Sequence, residues 1–455
     1  MKKTYCMVAL FALALSSGIW SQTVSDPQSM FDNPDMIKEE NTEGMPPSMD
    51  ASFLESSNVD IGGQFSLAGG IDWRKPSTKN LYYSAMMRLT LDARPDKDYR
   101  VFAKMDTAYP FVASGTDSIM DFNGAVSVKE LFADVSWNQA VYLRAGKQTI
   151  AWGVGRYFSP ADVLNLTPID IEDPDAERFG PVALKVNIPF KLNSFYAYII
   201  ANDISSASDL AYASKAELLL GETEFALAGF YRQGLAPRGI VMVTFPFGDL
   251  DCYTETVAAW GSDKTFLDGL GGTYTDTSHL FFQTTAGFGY KYTDPLENWN
   301  VAAAGQFWYN GDGYDDPSLA RIPKTSPLRS SGVILDGDLV HPDKYYAVAN
   351  LGLSDIYKSG VGVSVLWYGA LAGATGKVIP SLSMVVSEDL TTSLRVPILY
   401  GAMGAEYSPY GNVVTPTLEI KLLGNTTLSV GIPLGPDISW NIPVVATFEF
   451  AKALF

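Results

Sequence analysis

The stretch VDIGGQFSLAGGIDW at 59–73 alternates. Odd positions carry Val59, Ile61, Phe65, Leu67, Ile71 and Trp73; even positions carry Asp60, Gln64, Ser66 and Asp72 among small residues. Successive side chains of a strand point to opposite faces, so a sustained period of two puts one face in an apolar medium and the other in a polar one. The pattern returns at HLFFQTTAGFGYKY, 279–292, and at NWNVAAAGQFWYN, 298–310, where Trp308 interrupts the polar face. These runs exceed the usual soluble strand of about 5–6 residues. They suit a tilted crossing of a hydrocarbon layer, about 9–11 residues each, with extra length at the rim.

The ends and composition agree with that reading. Lys2 and Lys3 precede the apolar run CMVALFALAL and the small, weakly polar SSGIWSQ. A basic start, a short apolar core and a small-residue exit describe a secretory leader, 1–21, cleaved after Ser21. Cys6 leaves with it, so the mature chain keeps only Cys252 and forms no internal disulfide. The formal charge of −18 repels nucleic acid, which is excluded as a partner. Past the leader, no run of 18 apolar residues offers a spanning helix, although 47% of residues are hydrophobic and 13% aromatic. Residues 22–57 are acidic, proline-dotted and aperiodic, and read as a tail or plug. The alternating region, 58–455, is the barrel.

Connection lengths carry an independent argument. Short turns are expected at RPDK (94–97), NQA (138–140), KLN (191–193), GE (221–222) and TDPLEN (293–298), and long connections at 109–127, 153–179, 260–278 and 311–342. Counting strands in order, the short ones fall at one end and the long ones at the other, as in outer-membrane barrels with periplasmic turns and extracellular loops. The fold class is therefore all-β, a transmembrane antiparallel β-barrel of 16–20 strands, 20 on the fullest parse. Prolines within 377–388, 391–403 and 412–434 blur the late strands. The chain ends FEFAKALF, and Phe455 is similar to the C-terminal assembly signal of bacterial outer-membrane proteins. That resemblance implies the barrel-assembly machinery as a partner through the last strand.

The segment LRAGKQTIAWGVGRYFSPAD, 143–162, holds three glycines, a lysine and two arginines. It is no phosphate loop, because no GxxxxGK[ST] is present and no βαβ pattern surrounds it. A hydrolase needs a base near its nucleophile, and His279 and His341 both fall at loop edges. Two scattered histidines make no metal site. No catalytic residue, cofactor or metal is assigned. The strand reading fits better. LFADVSW (131–137) turns at 138–140 into VYLRAGKQTIAW (141–152), with Leu131, Ala133, Val135 and Trp137 facing lipid. A three-residue turn sets Asp134 opposite Arg144, and Glu130 opposite Gln148, on the lumenal face, where opposite charges across a hairpin contribute about 0.2–1 kcal/mol. Asp134–Arg144 reads equally well as a structural wall pair. Lys147 is the misfit: strict alternation points it outward, and a bulge or a rim position would relieve that.

Here the chain resembles the bacterial porins, in which the loop after the fifth strand folds into the pore. It also looks like a family of porin-like outer-membrane barrels of undefined substrate, which carry a GxQ-x-x-x-WG strand followed by a D-V/I-x-N-P turn. Gly146, Gln148, Trp152, Gly153, Asp162, Val163, Asn165 and Asp170 match; Leu166 and Thr167 interrupt the Asn-Pro. The resemblance covers about 40 residues. It implies an outer-membrane location, contact with outer-membrane lipid and small solutes, and leaves a homo-oligomer open.

Loop 153–179 carries Asp162, Asp170, Glu172, Asp173, Asp175 and Glu177 against Arg156 and Arg178, and the preceding strands place Arg88, Arg100, Lys104 and Arg144 on their lumenal faces. A loop folded inward sets acids against a basic wall and selects permeants by size and charge; a loop turned outward is a solvated surface segment. The expected function is passive diffusion of small hydrophilic solutes through a pore narrowed by this loop. The alternatives are a plugged transporter for hydrophobic solutes, similar to the long-chain fatty-acid channels with 22–57 as hatch, and a surface adhesion protein using the long loops.

Overall fold

The computed structural model describes residues 59–72, 81–109, 126–202, 204–296, 298–422, 426–435 and 445–453. The leader, the acidic segment 22–57 and Phe455 lie outside the described residues.

Among the described residues the regular structure is almost entirely strand. The first half contributes β1 (Val59–Asp72), β2 (Leu81–Asp96), β3 (Tyr99–Tyr109), β4 (Val126–Trp137), β5 (Val141–Lys147), β6 (Val182–Phe190), β7 (Asn193–Ile200), β8 (Ala211–Leu220), β9 (Thr223–Arg232), β10 (Arg238–Phe247) and β11 (Leu250–Trp260). A hairpin of β12 (Thr265–Leu267) and β13 (Thr273–Thr275) stands apart from the wall. The second half contributes β14 (Leu280–Thr293), β15 (Asn300–Asn310), β16 (Tyr345–Ser354), β17 (Val361–Ala370), β18 (Thr375–Ser387), β19 (Leu390–Arg395), β20 (Ile398–Tyr400), β21 (Val413–Val414), β22 (Thr417–Leu422), β23 (Thr426–Gly431) and β24 (Val445–Ala453).

Each wall strand pairs antiparallel with its neighbour along the chain, and β1 pairs with both β2 and β24, so the sheet closes on itself. The 22 strands of this sheet fill 20 wall positions, because β19 with β20 and β21 with β22 each share one. The two interruptions fall at Val396–Pro397 and Thr415–Pro416. Proline has no N–H to donate to the ladder, which is why these strands break there.

The turns segregate as the alternation predicts. One end of the ring carries 97–98, 138–140, 191–192, 221–222, 248–249 and 388–389; the other carries 148–181, 261–279, 311–344 and 401–412. Asn138 and Gln139 supply the positive φ of a tight hairpin turn.

Burial is inverted relative to a soluble protein. The outward row of β4 is exposed at Leu131 (50%) and Trp137 (68%), while the inward Asp134 is 1% exposed. Elsewhere the outer surface shows Phe195, Leu227, Val241, Phe307, Leu351 and Val365, and the interior buries Arg100, Lys215, Glu217, Glu255 and Gln306. An apolar outside and a charged inside require a low-dielectric medium around the wall and a polar one within it.

Candidate functional site

The site is the loop 148–181 and the wall it meets. Its launch point is the hairpin β4–β5. The register is the expected one: Asp134 pairs with Arg144 and Leu131 with Lys147. Arg144 binds Asp134 through two hydrogen bonds (2.6 and 2.9 Å), and its guanidinium lies 3.9 Å from the Phe132 ring. Arg100 binds Asp92 in the same manner (2.9 and 3.1 Å) and approaches Asp134 at 3.9 Å. Fully buried pairs of this kind neutralise charge inside the wall.

The strand ends five residues earlier than its alternation suggests, at Lys147. Gly146 has φ 132°, and a Cβ on it would lie 2.1 Å from the Leu131 carbonyl oxygen. This turn of the backbone shifts the phase. Lys147 is thereby half-buried, donates to the Val128 carbonyl (2.7 Å) and lies 5.4 Å from the Phe179 ring. Glu130 does not face Gln148 across a ladder. Instead its carboxylate accepts from the Thr149 N–H (3.2 Å), and Gln148 donates to the Ala183 carbonyl (3.0 Å), so side chains take over from backbone pairing where the strand stops. Thr149 donates its hydroxyl to the Arg178 carbonyl (2.9 Å).

From there the loop runs inside the ring. Trp152 is 1% exposed and sits edge-on to Tyr198 at 5.3 Å. With Ile150, Ala161 and Leu164 it packs against the inner faces of β6–β11, including Ile240, Met242 and Val257. Tyr157 and Phe158 pack against β15–β18; Phe158 stacks on Trp308 (5.1 Å) and leans on Tyr346. Between these two apolar contacts, the Glu255 carboxylate accepts the backbone N–H groups of Val154 (2.7 Å), Gly155 (3.0 Å) and Ala161 (3.1 Å). The Gln306 amide oxygen accepts from the Tyr157 N–H (2.8 Å), and its nitrogen donates to the Phe158 carbonyl. Gly153 lies against this anchor: a Cβ there would meet Ser159 Oγ at 1.8 Å and Glu255 Oε2 at 2.9 Å.

The second half of the loop returns and carries the acids. Asp162 pairs with Arg178 and accepts from Asn165 (2.7 Å). Burial pushes its carboxyl above the ordinary range against the pull of Arg178 and Asn165. Asp175 binds Arg156 within the loop (2.9 Å). Asp170 caps the Glu172 N–H (2.9 Å), and Asp170 and Asp173 are exposed. Glu172 reaches Tyr368 Oη (2.8 Å), Arg395 (3.2 Å) and Lys377 on β17–β19. Burial raises its carboxyl, but these three partners more than offset that and hold it below its usual value. Glu177 reaches Arg88 (2.8 Å) and Lys104 (3.0 Å) on β2 and β3. Arg88 also holds Asp106 at 2.7 Å. Lys129, the extra residue of a bulge in β4, sits 3.7 Å from the Phe179 ring. The loop therefore crosses the ring instead of lying over it as a solvated surface segment.

The alternation places Arg88, Lys104, Arg100 and Arg144 inward, but only Arg88 and Lys104 meet a loop acid; Arg100 and Arg144 are held by Asp92 and Asp134. Glu255, Gln306, Lys377 and Arg395 belong to the site without having been singled out by their sequence. Glu255 stands in phase with Tyr253, Val257 and Ala259 in DCYTETVAAW, an apolar row that alternation alone would turn to lipid but that the structure buries inside the ring; what Glu255 holds lies 94–101 residues away.

No family model and no curated protein matches the sequence. Among solved structures, the chain is similar in fold to bacterial porins. OccAB1 of Acinetobacter baumannii aligns at 10% identity and TM-score 0.41 over 87% of this chain and 97% of its own. OccK11 (OpdR) of Pseudomonas aeruginosa aligns at 7% and 0.41 over 88% and 96%. A mutant of the Rh. blastica porin aligns at 12% and 0.37 over 87% and 100%.

Proposed function

We propose that the protein is an outer-membrane channel for passive diffusion of small hydrophilic solutes, narrowed by loop 148–181. The observation that carries this reading is the crossing loop: Glu255 and Gln306 on one side of the ring, Glu177 with Arg88 on the other, hold it within a closed barrel. The inverted burial supports insertion in a lipid layer. Trp137, Phe190, Phe247 and Tyr99, exposed near the short turns, and Tyr109, Tyr212, Tyr231 and Trp260 near the long loops, supply the two aromatic girdles of such a wall. The reading gives the protein no catalytic step. Charged and hydroxyl side chains inside the ring favour a water-filled route over a pocket for an apolar chain.

The test is single-channel recording in planar bilayers, comparing the mature chain with a variant lacking 156–178. The expected result is a measurable conductance that rises on deletion. Conductance undetectable in both would overturn the channel; an equal conductance in both would remove the narrowing role.

A further inference from the structure

The loop does not obstruct the ring evenly. Its apolar contacts seal it to β6–β11 through Trp152, Ala161 and Leu164 and to β15–β18 through Tyr157 and Phe158. Packed apolar surface of this kind excludes water along these contacts; beside them a polar cavity of about 230 Å³ lies between Asp162 and Val163 of the loop and Arg238, Gln283 and Asp312 opposite. Its acidic edge, 170–177, is moored differently. It ends on β19 at Arg395 and on β2 at Arg88, each by an ion pair. Between those moorings the wall consists of β22, β23, β24 and β1.

Register fixes which residues of this arc face inward. Gln64 pairs with Arg88, Thr417 pairs with Arg395, and Glu419 pairs with Ser393 and Ser429. Arg88 and Arg395 both point at the loop, so Gln64 and Thr417 share their face. The inward row thus holds Gln64, Thr417, Glu419, Lys421, Thr427 and Ser429, with no large apolar side chain among the described inward residues of β1, β19, β22 and β23. Asp60 and Gln64 are exposed on this inward face. On the sealed side the inward face carries Tyr196, Tyr198, Ala213, Ile240, Met242 and Val257, all buried, around the buried charges of Lys215, Glu217 and Glu255.

We propose that the permeation route is off-centre. It runs between the acidic edge 170–177 and the polar arc from β19 through β22, β23 and β1 to β2, with Arg88 and Lys104 at one limit and Lys377 and Arg395 at the other. The inference rests on the channel reading and adds where the solute passes and what it meets. Hydroxyl and amide groups beside Glu419 and Lys421 on one side, and the loop carboxylates on the other, exchange hydrogen bonds with a hydrated, hydroxyl-bearing solute, and offer an apolar chain no surface to leave water for. Gln64, Thr427 and Ser429 are then specificity-determining residues, since their size sets the width of the passage.

The experiment uses the full mature chain with Cys252→Ser, a position on the outer row of β11. Single cysteines are introduced at Gln64→Cys and Thr427→Cys on the proposed route, and at Ala213→Cys on the sealed side. Assembly is checked by heat-modified migration and labelling by mass. A negatively charged methanethiosulfonate is added in the bilayer. The expected result is a drop in conductance of about twofold or more at Gln64→Cys and Thr427→Cys, and none at Ala213→Cys. Complete labelling at both route positions with unchanged conductance, or a block at Ala213→Cys, would overturn the route. If the unlabelled Cys252→Ser chain does not conduct, it is the channel reading itself that fails.

Discussion

Gly146 shows how one residue decides where a wall becomes a loop. Strict alternation carries β5 onward and points Lys147 into lipid. A φ of 132° lies where an L side chain is strained, and the Leu131 carbonyl occupies the place of a Cβ. The backbone turn puts the Lys147 ammonium on the Val128 carbonyl instead of in the apolar layer. Substituting Gly146→Ala is expected to cost about 1–3 kcal/mol and to loosen the hairpin β4–β5. Urea unfolding of the refolded barrel checks this, with Gly221→Ala, at a turn where a Cβ meets nothing within 4 Å, as the milder comparison. Equal losses at the two sites would show that the crowding at Gly146 is relieved. The sequence displays the glycine and the misplaced lysine side by side, but the phase shift that reconciles them is a property of the partner strand's carbonyl and cannot be read from either residue.

At the level of elements, the loop is held by two kinds of contact with different responses to acid. The moorings at Glu172 depend on its ionised carboxylate. Its folded value lies below the ordinary one, so this contribution is fully present above the ordinary carboxylate range and is lost as pH falls through the lowered value. Asp162 works in the opposite sense. Its folded value is raised, so its burial opposes docking near neutrality, and that penalty fades as pH falls toward the ordinary value. Loop docking should therefore hold from neutral pH down to about pH 5 and loosen only below about pH 4. Protease cleavage within 148–181 as a function of pH measures this, and Glu172→Gln should remove most of the acid-dependent step. Cleavage that rises already at pH 6 would contradict it. The acids of this loop were plain in the sequence, as was their number. Their sorting was not: Asp162 and Asp175 are taken by Arg178 and Arg156 of the same loop, while Glu172 and Glu177 go to separate parts of the wall. Which cation claims which acid depends on where the apolar contacts of Trp152 and Phe158 seat the chain, and those contacts join residues that sequence distance keeps apart.

For the whole molecule, the ring, its faces and its two unlike ends were legible, because each follows from local rules. Period two sets the faces, short turns pair neighbours, and closure needs only that the first and last strands meet, as β1 and β24 do. The three described loops of the expected set differ from it at their ends; for 148–181 this is because the terminal residues of β5 and β6 are decided by Gly146 and by Gln148 bonding Ala183. The same rules give a prediction for the molecule as a whole. Leu351 and Val365 face each other on the outer surface near the midpoints of β16 and β17, exposed at 59% and 43%. If that surface meets hydrocarbon, Val365→Arg places a charge in it and should destabilise the barrel by about 2–4 kcal/mol. Ser364→Arg, one residue away, turns the same charge into the ring, where water can reach it, and should cost much less. A soluble sheet protein would make the opposite distinction: an arginine on its exposed apolar face would be nearly neutral, and one among its inward residues would disrupt its core. Comparing the two variants by urea unfolding in lipid vesicles therefore decides on which side of the wall the oil lies, and equal or reversed losses would reject the membrane reading together with the channel built on it.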